Sequence, residues 1–383
     1  MQSRIILYSA FVLFALGTIA ISSGRNSSSH TSQFLGSAED NSAQLIQQGR
    51  QIFRFDTFGD EAFWGDQLRL HQAINGLAPR NALTLGLKVD SQALSPSVVQ
   101  AIKHGKIDLD DPAVTRALIQ QQAVLGVVGF FDSNNMLRSI GLTCAVCHST
   151  VDDSVAPGIG ARIDGLANRD LNVGAIIAAA PNLQPAVNLL SLADPGITVV
   201  NVKAVLNSWG PGKFDAELFL DGKAVNPQQT TNGFVTGQNV TGATLLPNAR
   251  GLSGHNLHTW TGGWGTVTYW NALVAVNELH GTGTFFDERF DNASQFPIAA
   301  KAGLGHISTD PDSDRVTGKL AALHFYQLAL PSVQFMNPQN KGRFYHDGRF
   351  LTLLDVVKSY NDRFNLGLRD QEESDLVEYL KSL

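Results

Sequence analysis

The chain holds two cysteines, and both fall inside one short motif, Cys-Ala-Val-Cys-His, at Cys144, Cys147 and His148. Thiols three positions apart can each add across one vinyl group of a single haem. The adjacent histidine then lies under the iron and supplies its imidazole. A chain built around such a site wraps a flat apolar cofactor that becomes part of its core. The expected group is one covalent haem c, tethered by Cys144 and Cys147 with His148 as the metal ligand.

Three other readings of the same residues compete. Structural zinc needs four ligands and would have to borrow two distant histidines, of which His255 and His258 are the closely spaced pair. A thioredoxin-like dithiol leaves His148 without a role and calls for a βαβ setting that the flanking sequence does not offer. A disulfide would close too small a loop to contribute much.

The amino terminus agrees with the haem reading. Arg4 precedes an apolar run from Ile5 to Ile21, followed by Ser22, Ser23 and Gly24. The run falls short of the ~20 residues of a membrane span. Residues 1–24 therefore read as a signal peptide, or as an uncleaved anchor because no clean Ala-x-Ala site follows. Either form places the protein in the periplasm or another extracytoplasmic space, where haem c is attached. Residues 25–41, with the Ser-rich stretch 26–32, read as a solvated linker.

At 383 residues and 43% hydrophobic, the chain can bury one large core or two smaller ones. A net charge of −6 with scattered Lys and Arg gives no basic stripe, so nucleic acid is not an expected partner. The pattern beyond residue 40 is mainly α with long irregular connections. Ser42 to Phe55 carries Leu45, Ile46, Ile52 and Phe53 around Gly49 at helical spacing, and Thr115 to Val128 reads as a core helix. A polar turn at 133–135 and a short helix bearing the cysteines come next. Residues 154–227 are dense in Gly, Pro and Asp and read as tight turns rather than regular elements. Within them Arg162 and Arg169 are candidates to pair with haem propionates, since a guanidinium suits a carboxylate at a partly buried edge.

Residues 251–281 concentrate three tryptophans with His255, His258, Glu278 and His280. Aromatic rings beside titratable groups suit a haem-pocket wall, with Glu278, His258 and Trp270 as candidate catalytic residues. Trp270, Leu273, Val274 and Asn277 also share one helical face, which is a core pattern. Near the carboxyl end, Thr352 to Tyr360 and the run Leu376, Val377, Leu380 and Leu383 have amphipathic helical spacing.

Here the residues carry a resemblance. FYHDGRFLTLLDVVKSYN followed by DLVEYLKSL resembles the closing segment of the di-haem cytochrome c peroxidase group, which also contains the methylamine dehydrogenase maturation enzyme and the rubber oxygenases. The matching residues are Tyr345, His346, Asp347, Gly348, Thr352, Leu353 and the last nine. FRFDTFGDEAFW, NRDLNVGAI and LAALHFYQLALP are similar to motifs of one branch, so the likeness runs through most of residues 45–383. It implies a cytochrome c-like haem domain over 42–300 and, over 301–383, the remnant of a second such domain. That remnant lacks its haem motif: only Ser332 to Arg343 separate the segments that flank it in relatives. Where several relatives place a distal ligand of that second haem, this chain offers Ser359 and Tyr360.

Two functional classes follow from one haem. The first is peroxidase- or oxygenase-type chemistry on hydrogen peroxide or dioxygen, with a small redox protein or other donor supplying electrons. It needs an open iron position. The second is a one-electron carrier with six-coordinate iron, whose distal candidates are Met336, Met136, His258 and His280. A third, non-redox reading keeps haem only as a folding staple.

Overall fold

A computed structural model describes residues 38–222, 243–255, 257–259, 262–331 and 344–381. The expected signal or anchor segment, the first part of the linker and Met336 lie outside the described residues. The described chain is mainly helical with short two-stranded sheets. No described helix is long and apolar enough to cross a membrane.

The first helix, Ala38–Phe55, turns Ile46, Gly49 and Phe53 inward. It packs along helix Leu320–Ala329. Gly49 sets the approach: a Cβ there would lie 1.9 Å from the Ala322 carbonyl oxygen. Val316, Leu323 and Tyr326, from the segment expected to form the second helical unit, share a core with Phe53, Phe58 and Leu273.

A buried polar cluster ties these helices to the segment after the cysteine motif. Asp164 accepts hydrogen bonds from Arg54 Nε at 2.5 Å, Arg162 Nε at 2.6 Å, Ser149 Oγ at 2.8 Å and the Tyr326 hydroxyl. Burial alone would raise this carboxyl, but Arg162, Tyr326 and Arg54 together hold it below its ordinary range. The strands Ser149–Val151 and Arg162–Asp164 pair antiparallel beside it, with Ser149 opposite Asp164.

Two expectations are corrected. The helix expected over 115–128 spans Pro112–Gln120, capped by Asp111, and ends where Gln122 takes a positive φ of 53°. Val127–Phe131 is instead a strand, antiparallel to Leu137–Leu142 across the polar turn. Its Val-Val-Gly-Phe-Phe run favours a strand because β-branched and aromatic side chains pack on a pleated surface. Likewise, the described part of residues 154–227 contains four helices: the short Leu218–Asp221 and, before it, Val173–Ala178, Gln184–Leu190 and Val199–Ser208. The last opens on a reciprocal capping box between Thr198 and Asn201, in a stretch whose turn residues mask the helix start.

Two apolar clusters form the core. One gathers Trp64, Ile74, Val146, Leu171 and Trp209, with Cys147 packed against it; the other gathers Phe53, Leu273, Phe290 and Tyr326, with Cys144 packed against it. The cysteine motif thus sits at their junction. At the carboxyl end, helices Leu353–Phe364 and Asp370–Lys381 pack on each other. They are joined to the body through a hairpin turn whose His346 carbonyl accepts from Leu245 N–H at 2.8 Å. Val357 and Val377 are buried, whereas Tyr360, Phe364 and Tyr379 are exposed.

Candidate functional site

The motif forms the four-residue helix Ala145–His148, with Cys144 as its N-cap residue. Thr143 anchors its start by donating its hydroxyl to the Arg54 carbonyl at 3.1 Å and its N–H to the Gly126 carbonyl at 3.0 Å. Gly126 has φ +71°, and a Cβ there would lie 2.0 Å from Val146 N, so the loop touches the helix only because glycine stands there. The far end is capped by neighbouring amides: Asn168 N–H donates to the Cys147 carbonyl at 2.8 Å and Gly165 N–H to the His148 carbonyl at 2.7 Å.

Cys144, Cys147 and His148 line one cavity of about 640 Å³, within the range of roughly 300–1,000 Å³ typical of small-molecule and cofactor sites. Most of its wall is apolar, with Trp64, Leu70, Ile177, Trp264 and Trp270 among the lining residues. The cysteines are not joined to each other. Burial pushes both thiols up to about 12. That is the opposite of the lowered value a redox-active dithiol uses. Burial likewise takes His148 down to about 4, so its imidazole is neutral. Its Nδ1 is 2.9 Å from the Pro247 carbonyl oxygen. Donation there leaves Nε2 as the nitrogen available to a metal.

Glu278 and Trp270 line the same cavity. Helix Val267–Leu273 carries Trp270 and continues into a wider turn, Val274–Glu278, with π-type hydrogen bonding. Such a turn often marks a functional position. Glu278 Oε1 has no hydrogen-bond partner. Burial, with Asp215 and Glu217 adding their charge, raises this carboxyl to about 8. The Glu278 charge is felt at Cys147.

His258 also lines the cavity, its ring 6.4 Å from that of Trp270. Burial, assisted by His255 and His324, lowers it. The other distal candidates fall elsewhere. Met136 is 50% exposed on the hairpin turn, and His280 stacks on Phe63 with ring centroids 3.7 Å apart; neither lines the cavity.

The two arginines are placed differently from a propionate clamp. The Arg162 side chain is 2% exposed, is committed to Asp164 and does not line the cavity. Arg169 does not line it either, although its charge is felt at His148.

Several lining residues carry no motif of their own. Asp215, Glu217 and Asp221 reach the wall from Asp-Ala-Glu-Leu-Phe-Leu-Asp, where the acids alternate with apolar residues that line the cavity or fill the core. That interleaving in an otherwise turn-rich stretch was the available signal. His346 lines the mouth, brought there by the carboxyl-terminal turn. His255 lines it as well, but among the described residues no three His, Cys, Asp or Glu side chains are arranged to hold a metal ion, so the zinc reading has no ligand set. Comparison with protein-family models, with curated proteins and with solved structures finds no match to this chain.

Proposed function

We propose that this is an exported c-type haem redox protein whose single covalent haem occupies the cavity beside Cys144, Cys147 and His148 and supports peroxidase- or oxygenase-type chemistry. One observation carries the reading: two thiols and a neutral histidine, already hydrogen-bonded through Nδ1, share one small helix on the wall of a largely apolar cavity. The resemblance to di-haem cytochrome c peroxidases agrees with it, and implies that the haem module is cytochrome c-like with a second, haem-free helical remnant after it.

When bound, the haem supplies iron redox chemistry, including cleavage of a peroxide O–O bond. The chain's own residues would do the rest. Cys144 and Cys147 hold the cofactor, and the Pro247 carbonyl fixes the His148 ring. Trp64 and Trp270 help to exclude water. Glu278, half-buried and raised to about 8, would take a proton from one oxygen of hydrogen peroxide and return it to the other. A small redox protein or other one-electron donor would supply the two electrons, and solvent the two protons, that reduce the peroxide to two waters.

His258 favours a second reading, a one-electron carrier. It lines the cavity and its charge is felt at His148, so a second imidazole is within electrostatic reach of the first. An absorption spectrum of the purified ferric protein separates the two. High-spin iron is expected for the enzyme, and a low-spin spectrum that turns high-spin in His258→Ala replaces it with the carrier.

A further inference from the structure

A second, much smaller cavity adjoins the one that holds the cysteine motif. Its volume is about 30 Å³, and it lies between helices Pro79–Thr84 and Pro112–Gln120 and the strands Val89–Asp90 and Ile159–Gly160. The strands pair in parallel, Val89 N–H donates to the Gly158 carbonyl at 2.9 Å, and Arg80 N–H donates to the Leu109 carbonyl at 3.0 Å. These bonds hold the backbone in place around the void. Among the described residues, those lining it carry hydrocarbon side chains, Thr115 excepted. The Thr115 hydroxyl is already satisfied, because it donates to the Leu77 carbonyl at 2.5 Å. Ile74, Leu77, Leu87 and Val127 line both cavities, so the two spaces are separated by the thickness of single side chains.

We propose that this void is a docking site for one small apolar gas molecule, dioxygen in the working protein, which exchanges with the cofactor cavity past Ile74, Leu77, Leu87 and Val127. The choice of dioxygen rests on the haem reading above, whereas the capacity to take an apolar gas does not. Size sets the first limit. A water needs about 10–15 Å³, so the void has room for one small molecule and little more. Chemistry sets the second. A buried water stays only where about two to four polar partners meet it, and apolar cavities that offer none remain dry yet admit an atom such as xenon. Hydrogen peroxide would have to shed its hydrogen bonds to enter such a space, and an ion its hydration shell. Dioxygen forms no strong hydrogen bonds to water and loses nothing comparable. The void therefore discriminates between the two oxidants the cofactor cavity could use: it can hold dioxygen one side chain away, and it cannot hold peroxide.

The test uses the full haem-loaded chain and two readouts. Crystals held under xenon should show a xenon atom bounded by Ala82, Leu118 and Val124. Ala82→Val adds bulk to this void at a residue that does not line the cofactor cavity, and should remove the xenon. Flash photolysis of the ferrous carbon monoxide complex follows the exchange. In the wild type a slow geminate phase should mark ligand that waits in the void before returning, and that phase should be lost both under xenon and in Ala82→Val. A void without xenon, or one holding an ordered water, overturns the site. So does a wild type with no slow phase, or a slow phase that neither xenon nor filling moves, which is the behaviour of a packing defect that exchanges with nothing. If Ala82→Val does not fold, Val124→Ile fills the same void from another wall and carries the same two readouts. A chain that takes xenon at this position but loads no haem would refute the haem reading and still support the gas site.

Discussion

His148 is held by Pro247: its Nδ1 lies 2.9 Å from that residue's carbonyl oxygen, so the chain segment around residue 247 fixes the ring that the motif helix presents. With both thiols on the same wall, the expected product of expression with haem-attachment machinery is one covalent haem per chain. A pyridine haemochrome assay should give one, and Cys144→Ala with Cys147→Ala should give none after acid-acetone extraction. Two haems per chain, or retention in the double variant, would contradict the site.

Asp164 should make the fold sensitive to acid. Its carboxyl is held below the ordinary range in the folded state, so the stability it contributes is complete above the unfolded value of about 3.9 and is lost as pH falls through the lower folded value. Urea unfolding should therefore show a steep loss below about pH 4. Asp164→Ala strands Arg162, whose side chain is 2% exposed, and should cost ~3–5 kcal/mol at pH 7 while flattening the acid limb.

Gly49→Ala should separate the first helix from helix Leu320–Ala329. The added methyl would have to displace the Ala322 carbonyl, and overpacking of this kind costs ~1–3 kcal/mol. Thermal unfolding reads the loss directly. An unchanged midpoint would mean that the two helices do not approach as described.

The carboxyl-terminal pair of helices offers a paired control. Val377 is 8% exposed and Leu376 37%. Val377→Asp should lower stability by ~1.5–3 kcal/mol or more, because it exchanges a buried apolar side chain for a charge. Leu376→Asp should stay within ~0.5 kcal/mol of the wild type, as surface substitutions usually do. Equal effects would show that the helix buries a different face.

What could be read from the sequence depended on whether a single local signal decided the structure. The motif at 144–148 was legible because thiol spacing and the adjacent imidazole are set by covalent neighbours, and the first helix because its apolar stripe is periodic. The strand Val127–Phe131 was missed because a short apolar run fits a helix or a strand equally, and only its pairing with Leu137–Leu142 chooses. Glu278 and Trp270 line the cavity that holds the cysteine motif, while Arg162 turns to Asp164, since a guanidinium's partner depends on which carboxylate the fold brings near. Asp215 and His346 were invisible as site residues: each reaches the cavity from a segment distant in sequence from Cys144.

The junction position of the motif helix carries a consequence for assembly. Cys144 packs against one apolar cluster and Cys147 against the other, and both side chains stand half-buried on the cavity wall. A cofactor bonded to both sulfurs would be a rivet between the two halves, set from inside. Such a rivet would resist any motion that draws the two clusters apart. A covalent group there would tie the assembly of one cluster to that of the other.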